Sequence, residues 1–283
     1  MTAPIPTALR AGVRRGVVEF LNSLRSPTDV GFWIVGAIVT VVVLWFLRTD
    51  RIAELDITTA QFIFPGLLAV QLLIAATWGV GVMISTERED GTLLRAKALP
   101  HGTLTYATGI TMRSLLESAV AVALVLVPSL FLVGGLLDRG PVALAAVGIL
   151  VLGFVALFPI GLAVGALSRN PRAVSGWGLL VGAAVVFASG IFVPLITFPE
   201  WAQVIGQLLP LYWLGLLLRS VLLPENLHVV EIGESWRTLE AFGVLGAWAV
   251  VGILIAPPLL RRMARRESGT SLERARQKAL QRV

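Results

Sequence analysis

Charged residues make up only 14% of this 283-residue chain, and most of its capacity for chemistry lies in one short run. Ser85-Thr-Glu-Arg-Glu-Asp-Gly-Thr-Leu-Leu-Arg-Ala-Lys-Ala-Leu-Pro100 gathers Glu87, Arg88, Glu89 and Asp90 between two long apolar segments. A charge-dense element in such a setting must face water, and its residue types suit docking rather than bond-making. Gly91 and Thr92 after the acids fit a helix start, where acids complement the helix dipole. Leu93, Leu94, Ala96, Ala98 and Leu99, with Arg95 and Lys97 among them, then predict a short amphipathic helix ended by Pro100. An ordinary charged loop has a similar composition.

Other chemistries lack a part. The phosphate-binding pattern GxxxxGK[ST] requires a lysine after a glycine, and neither lysine follows one. Ser175, in Ala173-Val-Ser-Gly176, has the small neighbours of a membrane-embedded nucleophile, but such a serine needs a histidine base. Both histidines, His101 and His228, fall outside the apolar segments, and no pair of aspartates lies within them. The absence of cysteine excludes thiolate chemistry and disulfides, and two histidines leave no imidazole cluster, so no metal site is expected. One ionisable group lies inside an apolar segment: Glu117, one turn after Arg113. It is either a proton or cation site or one half of a local i, i+4 ion pair.

The elements that position these residues follow from hydropathy. At 56% hydrophobic residues, with apolar runs near the roughly twenty residues needed to cross a bilayer, the composition is that of a membrane protein. Six spans are expected at Val30–Leu47, Phe62–Ser85, Ser114–Leu137, Val142–Leu167, Ala173–Ile196 and Phe242–Leu260. The first starts too late, and lacks the cleavage site, for a secretory leader. With both termini cytoplasmic, all of the 23 basic residues but Arg48, Arg51, Arg139, Arg219 and Arg237 fall inside, as the positive-inside rule requires. The formal charge of +6 is thereby a topology signal, and no nucleic-acid partner is expected.

Before the first span, Leu9, Val13, Val17, Phe20, Leu21 and Leu24 recur at helical spacing, with Arg10, Arg14 and Arg15 mostly off that stripe. This predicts an amphipathic interfacial helix against lipid headgroups over residues 1–27, stopped at Ser26-Pro27. A transmembrane domain over 28–262 and a basic cytoplasmic tail over 263–283 follow it. Between spans five and six, Pro199, Trp201, Pro210, Tyr212 and Arg219 punctuate a stretch too apolar for a solvated loop, and Pro210 cuts it into pieces too short to cross. A further crossing would place the basic tail outside, so two short re-entrant helices, half sunk in the outer leaflet, are expected there. Trp201, Tyr212 and Trp213 suit that interfacial depth. Residues 224–241 read as an acidic, solvated external loop.

Glu87-Arg88-Glu89, Gly91-Thr92-Leu93 and Pro100 together resemble the coupling element of type-2 ATP-binding-cassette permeases, the membrane subunits of drug and lipid exporters. The Pro-x-Trp, Pro-x-Tyr and Leu-Arg pattern from Pro199 to Arg219 resembles the external re-entrant region of the same family. Within it the chain looks most like the daunorubicin-resistance branch. The resemblance implies an all-α membrane protein with six transmembrane helices, an N-terminal helix touching both lipid and a motor subunit, and a cytoplasmic coupling helix between spans two and three.

It also implies partners. These are two copies of an ATPase subunit that carries ATP and Mg²⁺, none bound by this chain, and a second permease, identical or a sibling. The setting implied is the cytoplasmic (inner) membrane of a prokaryote, and the activity is export of an amphipathic drug or lipid-like cargo, without enzymatic activity in this chain. Phe62, Phe64, Trp78, Phe187 and Phe192 in spans two and five are expected along the transport path. A proton-coupled secondary transporter using Glu117 is the alternative.

Overall fold

The computed structural model describes residues 5–53, 55–97, 101–134, 136, 140–168 and 171–266. Among them, six helices are long and apolar enough to cross a membrane. α1 (Ile5–Ser23) and α2 (Pro27–Leu47) break where Ser26 and Pro27 predict. Ser26 caps α2 by accepting from the Asp29 N–H at 3.3 Å, and Pro27 sits at a first-turn position where its missing N–H costs nothing.

A two-stranded antiparallel pair, Arg51–Ile52 with Ile57–Thr58, follows α2, in the register Arg51 to Thr58 and Ile52 to Ile57. It departs from the all-helical expectation and serves to turn the chain into the next span. That span begins with a capping box in which the Thr58 hydroxyl accepts from the Gln61 N–H while the Gln61 side chain accepts from the Thr58 N–H.

The second span is one column of three pieces, α3 (Thr59–Leu73), a π-helical turn (Ile74–Gly79) and α4 (Val80–Glu89). At 31 residues and 1.5 Å per residue, it is about 46 Å long and outruns a hydrocarbon layer of about 30 Å. After the short α5 (Thr92–Lys97), α6 (Gly102–Leu132) is equally long and starts well before the expected Ser114. α7 (Gly140–Leu167), α8 (Pro171–Ala188) and α11 (Thr238–Arg266) supply the remaining crossings. α8 stops short of the expected Ile196 because Gly190 takes a left-handed φ of +59° and a 3-10 turn at Leu195–Thr197 follows. α9 (Glu200–Leu208) and α10 (Pro210–Leu222) meet at 87°.

The core lies where α3, α7 and α10 meet, around Phe64, Leu68, Leu157, Leu211 and Leu214. α10 is apolar on every side up to Arg219 and Ser220 in its last turn, and it is buried nearly throughout, as such a helix must be. Tyr212 and Trp213 are therefore enclosed by protein and do not sit at a lipid interface, whereas Trp201 on α9 is 69% exposed.

α1 lies along the first half of α6 through small residues. Ala8, Gly12 and Gly16 are buried, Thr105 donates to the Ala8 carbonyl at 3.2 Å, and a Cβ on Gly16 would stand 2.5 Å from the Gly109 oxygen. Leu9, Val13, Leu21 and Leu24 of the predicted stripe remain exposed on the opposite side. Gly16→Leu is expected to force α1 off α6 at an overpacking cost of about 1–3 kcal/mol. Limited proteolysis within residues 5–23 should speed up several-fold, with the six spans still protected.

Candidate functional site

The predicted docking stretch is a corner. The polar residues from Ser85 onward continue the helix of span two, so Glu87, Arg88 and Glu89 form the last turn of α4 and not the start of the next helix. The chain turns at Asp90 and Gly91, whose φ of +71° is a value that glycine adopts without strain. α5 then opens at Thr92 and contains Leu93. Pro100 lies outside the described residues.

Acids at a helix C-terminus oppose its dipole, and each is dealt with differently. Glu89 and Asp90 are both exposed. Glu87 turns inward with 13% of its side chain exposed, 3.9 Å from Arg15 of α1. Tyr106 of α6 brings its hydroxyl beside the Glu87 carboxylate without meeting hydrogen-bond geometry. Arg15 also holds Glu19 at 2.6 Å and lies 5.1 Å from the Tyr106 ring centroid.

Arg88 points the other way. One guanidinium nitrogen donates to the carbonyls of Gly165, Ala166 and Ser168 at 3.1, 2.8 and 2.7 Å. Gly165 and Ala166 carry end carbonyls of α7, which have no partner inside their own helix and form the negative end of its dipole, and Ser168 follows its last residue. The corner is thus tied to α1 and α6 by Glu87 and to α7 by Arg88.

Above the corner, α1, α2, the π turn, α4 and α6 enclose a cleft of about 820 Å³. Trp78 and Phe32 form an edge-to-face pair in its wall, centroids 5.5 Å apart. Arg113 and Glu117 also line it, and Arg113 Nε donates to Glu117 Oε1 at 2.8 Å, so the intrahelical ion pair is formed. Ser175 reaches the cleft, but its hydroxyl donates to the Pro171 carbonyl at 3.0 Å.

Of the five aromatics expected along a path, Trp78 alone is in this wall. Phe64 is in the core, Phe62 packs beside Ile57, Leu223 and Leu227, Phe187 meets Phe198 in a tilted ring contact, and Phe192 is exposed beyond α8. Arg15, Glu19, Tyr106, Asp29 and Trp33 went unread as site residues. The Arg15 and Glu19 pair at i, i+4 on α1 was the available signal for two of them.

At the opposite end, Pro199 precedes α9, and Pro210 occupies the first turn of α10. Arg219 in the last turn of α10 pairs with Glu231 through Nε at 2.6 Å and Nη2 at 3.3 Å, both side chains at most 3% exposed. The expected solvated external loop therefore sends one acid into the core.

A sequence profile described as ABC-2 type transporter matches residues 16–223 of this chain. The chain belongs to the ABC-2 type transporter family. It is also similar to the daunorubicin resistance ABC transporter permease protein DrrB1 of Streptomyces coeruleorubidus, with 30% identity over 153 residues. That match covers 53% of either protein, so the chain spans about half the length of this curated relative.

In this ABC-2 chain the matched region opens at Gly16, where a Cβ would meet the backbone of α6, and closes at Leu223, just past α10. It takes in the Glu87 to Thr92 corner, the cleft and the re-entrant pair, and leaves out α11.

Proposed function

We propose that this multi-pass membrane protein is the permease subunit of an ATP-driven exporter that moves an amphipathic drug or lipid-like cargo by alternating access. The observation that carries the reading is the family match across residues 16–223, which includes the corner tied to three other helices. In this reading both termini and the corner face the cytoplasm of a bacterial cell, and α1 lies in the inner leaflet with Leu9, Val13 and Leu21 toward lipid. Two ATPase subunits, which bind ATP and Mg²⁺, dock beneath α4 and α5, and a second permease, identical or a sibling, completes the membrane portion.

Nucleotide binding favours one arrangement of the motor pair, and only such differential binding can shift the membrane halves. The lever is the rigid column of span two. Glu87 passes its displacement to α1 and α6, and Arg88 passes it to α7. Glu117, held by Arg113, is engaged in a way that supports this reading over proton coupling.

The test is transport by inverted vesicles containing the chain and its ATPase partner. ATP-dependent accumulation of an amphipathic dye that survives collapse of the proton gradient is expected, and accumulation that follows the gradient and ignores ATP would overturn the reading. Gly91→Val adds a second arm. A β-branched residue at this φ costs about 1–3 kcal/mol, so the corner should deform. Membrane insertion stays intact while ATP-driven accumulation falls at least about tenfold, the equivalent of 1.4 kcal/mol in coupling.

A further inference from the structure

We propose that the cleft enclosed by α2, the π turn and α6 is a binding site, within a single subunit, for organic cations with an aromatic body. The inference rests on the exporter reading and narrows its cargo. The volume of about 820 Å³ falls in the range of roughly 300–1,000 Å³ typical of pockets for drug-sized molecules. The π turn contributes Ile74, Ala75, Trp78 and Gly79 to the wall, and single π turns inside α-helices frequently mark functional sites.

The wall is mixed in character. Phe32, Trp33 and Trp78 supply aromatic surface, with Asp29 one turn before Phe32 and Trp33 on α2. Glu19, Asp29, Glu87, Asp90 and Glu117 supply carboxylates, against Arg113 as the one lining guanidinium among the described residues. Arg15, behind the wall, divides itself between Glu19 at 2.6 Å and Glu87 at 3.9 Å, and Arg113 is taken by Glu117. Asp29 and Asp90 have no ion-pair partner among the described residues. Oε2 of Glu19 and Oε2 of Glu87 are buried with no hydrogen-bond partner there.

Among the described residues, five lining carboxylates against Arg113 in the wall and Arg15 behind it leave surplus negative charge. Surplus charge in a partly desolvated wall is costly, and a ligand ammonium or phosphonium offsets it through its own charge, without needing a donor hydrogen. Aromatic faces attract the same charge through their quadrupoles, while their area takes up the apolar body. An anionic amphiphile of equal size meets the opposite field at every one of these groups, so the site discriminates by sign. Acidic phospholipid is the class it rejects.

The test uses the purified full chain in neutral detergent micelles, with no ATPase present. The probes are tetraphenylphosphonium and tetraphenylborate, close in size and shape and opposite in charge. Equilibrium dialysis reads the saturable component, which separates a site from micelle partitioning.

Saturable phosphonium binding at least about tenfold tighter than borate is expected, the scale of a partly desolvated charge contact. Asp29→Asn, at a partly exposed and unpaired position, should weaken phosphonium several-fold. Glu117→Gln leaves Arg113 uncompensated in the wall and should weaken it about tenfold. Equal saturable binding of the two ions, or unchanged phosphonium affinity in both variants, would overturn the proposal. The outcomes separate the two readings. Charge-selective binding without ATP-driven export removes the exporter and keeps the site, whereas export without such binding removes the site and keeps the exporter.

Discussion

Arg219→Met should destabilise the protein more than any other single side-chain replacement considered for it. Arg219 and Glu231 bury both charges almost completely, with at most 3% of either side chain exposed and two hydrogen bonds between them. Their joint desolvation is already offset by mutual attraction and by the position of Arg219 at the negative end of α10. Removing the arginine leaves a carboxylate in the core with no counter-charge, at a cost of about 3–5 kcal/mol. Melting of the detergent-solubilised protein should begin roughly 10 °C lower, taking about 2–4 °C per kcal/mol for a chain of this size.

Glu231→Leu alone should cost a similar amount, because it strands the arginine. The double replacement Arg219→Met with Glu231→Leu removes both charges and should recover most of the loss, since an apolar substitute for a buried pair is often neutral. A double-mutant cycle therefore returns a coupling energy of a few kcal/mol. Additive losses in that cycle would show that the two side chains do not depend on each other.

That pair also marks the limit of what the sequence disclosed. The break at Pro210 was legible, because proline has a first-turn preference and an apolar stretch divided there cannot cross a bilayer. The burial of Tyr212 and Trp213 was not. Aromatics near a membrane boundary read as interfacial, and only packing against α3, α7 and α11 distinguishes a helix enclosed by protein from one wetted at its rim. The same holds for Glu231, which reads as one of several loop acids until the fold brings Arg219 beneath it.

The spans themselves were readable because hydrocarbon demands long apolar runs, yet their ends were not, because a helix continues beyond the hydrocarbon wherever backbone hydrogen bonds and neighbours sustain it. α6 starts at Gly102 since its polar first turns lie against α1. Glu87 and Glu89 read as the beginning of a helix, in accord with dipole preference. They end one instead, with Arg15 and Arg113, distant in sequence, near Glu87 to compensate. The cleft was the least legible feature. Asp29 and Phe32 share a face of α2 at i, i+3, but no spacing relates them to Trp78, and only the convergence of α2 with the π turn makes the three neighbours.

Arg88→Ala is the second large effect, and it separates two roles a charged residue at this corner could have. A docking residue would project toward the motor subunit. Arg88 instead reaches across to the end of α7 and donates to the carbonyls of Gly165, Ala166 and the following Ser168, so truncation should leave motor binding intact and release α7 from α4. Hydrogen bonds from a charged donor contribute about 1.5–3 kcal/mol each when fully made. One nitrogen shared among three acceptors in a half-exposed corner is equivalent to about 2–3 kcal/mol in total.

The expected phenotype is an assembled complex that hydrolyses ATP and exports at least about tenfold more slowly, because part of the driving conformational energy no longer reaches α7. Arg88→Lys keeps the charge at the α7 dipole but not the planar fork, and should recover transport in part. Pull-down of the ATPase subunit, ATP turnover and export measured on the same preparations distinguish the outcomes. Loss of pull-down by the alanine variant would make Arg88 a docking residue and refute the strut.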